Sequence, residues 1–96
     1  MAMTGGRAGS EQAETLALRA LAYIAGDEER FQRFLLSTGT TPDDVRLRAA
    51  EPDFLSGVFD HMLADEALLI AFAEDAGMAP EQVALARYRL PGAVFD

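Results

Sequence analysis

Residues 27–47 read DEERFQRFLLSTGTTPDDVRL, and residues 65–85 read DEALLIAFAEDAGMAPEQVAL. The two stretches share the pattern D-E-x5-F-x4-G-x2-P-[DE]-x-V-x-L, displaced by 38 residues (65 less 27). Around them, residues 16–49 align with residues 54–87 without a gap. The shared residues are of types that begin a helix, end a helix or pack in a core, and they occur in the same order. We therefore predict two tandem repeats.

Each repeat predicts three helices. An aspartate caps the second helix, a glycine ends it in the left-handed conformation, and a proline starts the third. In the first repeat these residues are Asp27, Gly39 and Pro42. Ser10 is expected to cap a first helix over residues 11–25. No alternating strand pattern occurs, so the fold class is all-α.

The predicted architecture is one compact bundle of about six helices over residues 10–92, because 96 residues can bury one modest core. Residues 1–9 are expected to be a flexible leader, and residues 93–96 a C-terminal tail. The shared Leu47 and Leu85 are interpreted as buried. Central core positions are predicted to be Phe34, Phe54, Phe59, Phe72, Leu68, Leu69, Val45 and Val83.

Charge and composition exclude several classes of function. Sixteen acidic residues oppose eight basic ones, all arginine, and the net charge is −8. This balance argues against nucleic acid or an anionic membrane as the main partner. The absence of cysteine excludes disulfides, cysteine-based zinc sites and thiol catalysis. No apolar run is long enough to span a bilayer, so a cytoplasmic protein is expected. No cofactor is expected either.

The repeats differ in charge, and the difference indicates where a partner could bind. The first repeat has five arginines and five carboxylates, whereas the second has one arginine and six carboxylates. Arg19, Arg30 and Arg33 are the candidate partner-binding residues, since arginine is enriched at interfaces. The alternative is intrahelical pairing of Arg30 with Asp27 and of Arg33 with Glu29. A second, weaker patch comprises Arg46, Arg48, Arg87, Tyr88 and Arg89.

The predicted fifth helix is apolar on almost every side. Its residues Leu68, Leu69 and Ile70 replace Arg30, Phe31 and Gln32 of the first repeat. Two interpretations stay open: the helix lies inside the core of the monomer, or a second copy of the chain covers it in a homodimer.

A second hypothesis is a metal-binding or hydrolytic site at Asp60, His61 and Asp65. His61 and Asp65 are four residues apart and could share a helix face, and carboxylates with an imidazole are metal ligands. Against it, Asp65 is already a predicted cap, and Asp60 and His61 point about 100° apart on a helix. A catalytic serine triad is not expected, because none of the three serines, Ser10, Ser37 and Ser56, has a recognisable spacing from His61. Ser56 is predicted to lie on a helix surface.

Nucleic-acid binding is the third hypothesis. Ala73, Gly77 and Val83 suit the small, turn and buried positions of a helix-turn-helix motif. However, Glu81 in the second repeat and Asp43 in the first would place carboxylates against phosphates.

The segments DEERFQRFLLSTGTTPDDVR (residues 27–46) and LADEALLIAF (residues 63–72) resemble a family of short alphaproteobacterial proteins, domain of unknown function 3572. The resemblance extends over about residues 14–89. It implies a small helical cytoplasmic protein and supplies no activity, cofactor or catalytic residue. The leading hypothesis is therefore a non-catalytic protein-interaction or regulatory module.

Overall fold

The computed structural model describes residues 5–92, with side chains from residue 9 onward. Within this range the chain forms six α-helices and no strand, which confirms the all-α class. The helices are α1 (Gly5–Ala25), α2 (Glu28–Thr38), α3 (Pro42–Arg48), α4 (Pro52–Leu63), α5 (Glu66–Ala76) and α6 (Pro80–Arg87). None of these helices is long and apolar enough to cross a membrane.

The shared aspartates and glycines delimit α2 and α5 as predicted. The Asp27 carboxylate accepts the backbone N–H of Arg30 at 3.0 Å, and Asp65 accepts that of Leu68 at 3.2 Å. Gly39 and Gly77 end the two helices with φ of 69° and 70°, a conformation that side chains disfavour.

The third helix of each half begins at a proline, also as predicted. Before α3, Thr41 and Asp44 form a complete capping box, with both hydrogen bonds at 3.1 Å. Before α6, Gln82 accepts the backbone N–H of Ala79 at 2.9 Å. The alanine side chain cannot accept the backbone N–H of Gln82, so only one of the two hydrogen bonds of a capping box forms before α6.

The predicted start of the first helix is wrong. Helix α1 begins at Gly5, so Ser10 lies inside the helix and not at its N-cap. A β-carbon at Gly9 would lie 3.2 Å from Cδ of Arg89, so the backbone of α1 passes close to the end of α6. This long-range contact is invisible to a local capping rule. Residues 1–4 and the predicted tail, residues 93–96, lie outside the described part.

The core lies between α4 and the helices packed around it. Helix α1 packs chiefly against α4 and α6, and also contacts α2. Six of the eight predicted core residues are buried, and the other two, Val45 and Leu69, are partly buried against them. Helix α1 buries three small residues in this core; they are Ala13, Ala17 and Ala20.

Two repeated residues were misinterpreted. Leu47 is 81% exposed and Leu85 is 61% exposed, although their recurrence predicted burial. Both lie two residues after a valine that faces the core, Val45 or Val83, and two residues on a helix rotate a side chain by about 200°. Helix α3 has seven residues and buries none of them fully.

Ser56 is buried, and its predicted place on a helix surface is wrong. Its hydroxyl lies 2.8 Å from the carbonyl oxygen of Pro91 and 3.0 Å from that of Pro52, and can donate to either. Arg87 reinforces the same closure, since it donates to the Asp60 carboxylate at 2.7 Å and to the Pro91 carbonyl at 3.0 Å. The end of the fold is therefore held against α4.

Candidate partner-binding surface

Arg19, Arg30 and Arg33, which the sequence singled out, form no ion pair with a carboxylate of the described residues. Ion pairs of the described residues are Arg46–Asp43, Arg48–Glu51 and Arg87–Asp60. Neither Arg30 nor Arg33 forms the intrahelical pair that was the alternative interpretation. The Asp27 carboxylate instead accepts the backbone N–H of Arg30 and so caps α2.

Arg30 is held by an aromatic ring instead. Its guanidinium carbon lies 4.4 Å from the centroid of the Tyr23 ring, within the range of a cation–π contact. Tyr23 in turn packs on Phe72, with ring centroids 5.7 Å apart. The stack fixes the plane of the guanidinium and leaves its N–H donors without a hydrogen-bonded acceptor among the described residues.

We define the arginine face as Arg19, Tyr23, Arg30 and Arg33. Arg19 and Tyr23 lie four residues apart on the same side of α1, and Arg30 and Arg33 lie on α2. Arg19 and Arg33 are exposed and Arg30 is partly buried. The two helices pack together, so the face is one surface formed by the first half of the chain.

A cleft of about 200 Å³ lies beside the arginine face. Its polar lining comprises Arg30, Arg33, His61 and Asp65, and its apolar lining comes from α5. The structure thus brings two candidate partner-binding residues together with two of the three candidate metal ligands.

His61 is fixed by two contacts from α2. Its Nδ1 lies 2.8 Å from Oγ of Ser37, and its ring meets the ring of Phe34 edge to face at a centroid distance of 5.2 Å. Partial burial lowers the pKa of His61 below its ordinary value of 6.5, and the nearby Asp65 carboxylate opposes that effect. His61 therefore favours the neutral imidazole.

The three candidate metal ligands do not converge. Asp60 is directed to Arg87 of α6, with N–O distances of 2.7 and 3.2 Å, and Asp65 is bonded to the N-terminus of α5. In the part of the chain that the structure describes, no group of three or more His, Asp or Glu side chains is placed to hold a metal ion. The metal hypothesis receives no support from this arrangement.

The contact between Ser37 and His61 was missed, but it does not assemble a triad. No hydrogen bond joins His61 to Asp65, whose carboxylate accepts from Leu68 instead. Ser37 and His61 are 24 residues apart and meet because α2 packs against α4. No local sequence signal could have paired them.

A wider groove of about 660 Å³ runs between α1 and α6 on the other side of the arginine face. Arg19 and Arg89 lie on its wall, and Leu16, Met78 and the exposed Leu85 supply apolar surface. The arginines of the weaker second patch have separate partners: Arg46, Arg48 and Arg87 are paired with carboxylates, and Arg89 lines the groove.

The helix-turn-helix hypothesis meets the same objection in the structure. Asp43 and Asp44 occupy the first turn of α3, and Glu81 occupies that of α6. Asp43 and Glu81 are both exposed, so the helix ends that would approach phosphates carry negative charge.

Fold and surface together define a small all-helical protein with an unpaired cationic face on an acidic body. Residues 10–93 match the family described as protein of unknown function (DUF3572), and the chain belongs to that family. The predicted resemblance is confirmed. Comparison with curated proteins and with solved structures finds no significant match.

Proposed function

We propose that this protein is a non-catalytic protein-interaction module, and that its partner binds the arginine face. The observation that carries the proposal is that Arg19, Arg30 and Arg33 lack a carboxylate partner within the described part of a chain that has twice as many acidic as basic residues. Arginine is enriched at protein interfaces, because its planar donors and weak hydration suit contact with acidic and aromatic groups.

The charge distribution supports an acidic patch on the partner. The net charge of −8 repels acidic molecules at long range, whereas the arginine face attracts them over a short distance. A partner therefore binds productively in one orientation, which gives specificity rather than raw affinity.

We also propose that the protein binds its partner in the cytoplasm and that its two halves arose by duplication. Two three-helix units with matching caps are consistent with duplication, after which the halves acquired different charges. The first half supplies the arginine face, and the second half supplies most of the helices that support it.

Charge reversal tests the proposal. Affinity capture from the native cytosol with the Arg30→Glu/Arg33→Glu variant should lose a partner that the unaltered protein retains, by about tenfold or more, because each arginine becomes a repulsive charge at the interface. The matched control is Arg46→Glu/Arg48→Glu, which makes the same charge change at two exposed arginines that already have carboxylate partners.

Binding of the purified partner to all three proteins is then measured by calorimetry, with circular dichroism to confirm folding. Equal loss of affinity in both variants would indicate a general charge effect, and no loss in the Arg30/Arg33 variant would place the interface elsewhere. Either result contradicts the proposal.

A further inference from the structure

We propose that the cleft lined by Arg30, Arg33 and His61 binds a tetrahedral oxyanion of the phosphate class. The inference rests on the proposed function in that two of these residues belong to the arginine face. The ligand chemistry is a phosphate dianion, either a free ion or a phosphoryl group on a side chain of the partner.

The first argument concerns the two guanidinium groups. Each presents a planar fork of N–H donors that matches the oxygens of a phosphate, and neither is paired with a carboxylate in the described structure. The stack on Tyr23 already orders Arg30, so binding forfeits less side-chain entropy there. One such fork satisfies a carboxylate, whereas two together match the charge and the oxygens of a dianion.

The imidazole supplies a third donor. The Ser37 hydroxyl lies 3.3 Å from the carbonyl oxygen of Phe34, to which it can donate, and its oxygen can then accept the proton on Nδ1 of His61. Nε2 is then the ring nitrogen without a partner among residues 9–92, on a residue that lines the cleft. A bound dianion favours a proton on Nε2, which makes it a hydrogen-bond donor.

The size and the charge of the cleft agree with this ligand. A volume of about 200 Å³ admits a phosphate group together with part of the molecule that carries it. Asp65 is the one carboxylate in the lining, and its Oδ1 accepts the N–H of Leu68 at 3.2 Å. The lining therefore has a net positive charge even with His61 neutral, although the chain as a whole is strongly acidic.

The test is a nuclear magnetic resonance titration of the whole protein, without any partner, at constant ionic strength. Inorganic phosphate is added first, then sulfate, with chloride as the reference anion. We expect a saturable shift of the His61 ring signals with phosphate and sulfate but not with chloride. Arg33→Gln should weaken binding by about tenfold, since it removes a charged hydrogen-bond donor.

Arg46→Gln is the matched control, because it removes one exposed arginine outside the cleft and should leave binding unchanged. The absence of a saturable shift up to tens of millimolar phosphate would overturn the proposal. So would equal weakening in the two variants, each checked for a dispersed native spectrum.

A second pair of ligands identifies the source of the phosphate. Phosphoserine that binds where serine does not would assign the cleft to a phosphoryl group carried on a side chain. Binding of inorganic phosphate alone would support the oxyanion site and assign it to the free ion. The titration contains no partner protein, so the two experiments are independent. Absence of phosphate binding would not decide whether a partner binds the arginine face, and a negative affinity capture would not contradict phosphate binding.

Discussion

At the scale of single residues, the aspartates near the cleft each have a partner of their own. Asp27 accepts the backbone N–H of Arg30, whose guanidinium lies over Tyr23. Asp60 accepts from Arg87, while the neighbouring His61 contacts Ser37. The capping role of Asp27 was predictable from its neighbours in the sequence. The position of Asp60 was not, because Arg87 is 27 residues away and depends on how α6 packs against α4.

The partly buried imidazole of His61 predicts a pH dependence of stability. The pKa of His61 lies below 6.5 in the folded chain, so the unfolded chain takes up a proton first as the pH falls. The free energy of unfolding should therefore decrease as the pH drops below about 6.5, and change little above it. Urea unfolding between about pH 7.5 and 5.5 measures this dependence.

The control for that measurement is His61→Gln, which keeps a polar side chain but cannot titrate. Aspartates and glutamates titrate mainly at lower pH, so the difference between the two proteins isolates the histidine. Parallel pH profiles for the protein and the variant would show that the burial of His61 does not affect stability.

At the scale of helices, local residues set most boundaries and long-range contacts set the rest. Asp65, Gly77 and Pro80 act within four residues of their own position, so the sequence predicted the ends they produce. Helix α1 begins at Gly5, before the predicted cap, and its residue Gly9 lies beside Arg89, 80 positions later in the chain. A pattern confined to the first helix carries no information about that contact.

Two glycines should respond to alanine in opposite directions. Gly77 has φ of 70°, so Gly77→Ala should lower the free energy of unfolding by about 1 kcal/mol. Gly57 lies within α4 and a β-carbon there meets nothing within 4 Å, so Gly57→Ala should raise it by about 0.5–1 kcal/mol. Denaturant unfolding measures both; changes of the same sign would contradict the helix assignments.

At the scale of the whole molecule, the sequence predicted the composition of the core better than the shape of the surface. Phe34 and Phe72 are buried because the apolar side of each amphipathic helix packs toward the core. Which polar residues meet is a different question, since the cleft collects side chains from α2, α4 and α5. The arginines were identified from charge alone, whereas their lack of partners required the packed structure.

The burial of α5 predicts that this helix does not mediate a homodimer. Leu68 is buried and Leu69 is partly buried within the monomer, which leaves Ile70 as the exposed member at 42%. One half-exposed side chain is too little apolar surface for a stable homodimer. Sedimentation equilibrium at high micromolar concentration should give the mass of one chain, both for the protein and for Ile70→Glu. A dimer that Ile70→Glu dissociates would contradict this expectation.

The packing of α1 also has a consequence for the order of events during synthesis. This helix is made first, but it packs chiefly against α4 and α6, which are made later. While the first half of the chain leaves the ribosome, α1 can therefore form its contacts with α2 but not those with α4 and α6. The Ser56 contact with Pro91 forms later still, since it joins α4 to a residue beyond α6. The native packing of α1 is thus completed only after α6 has been translated.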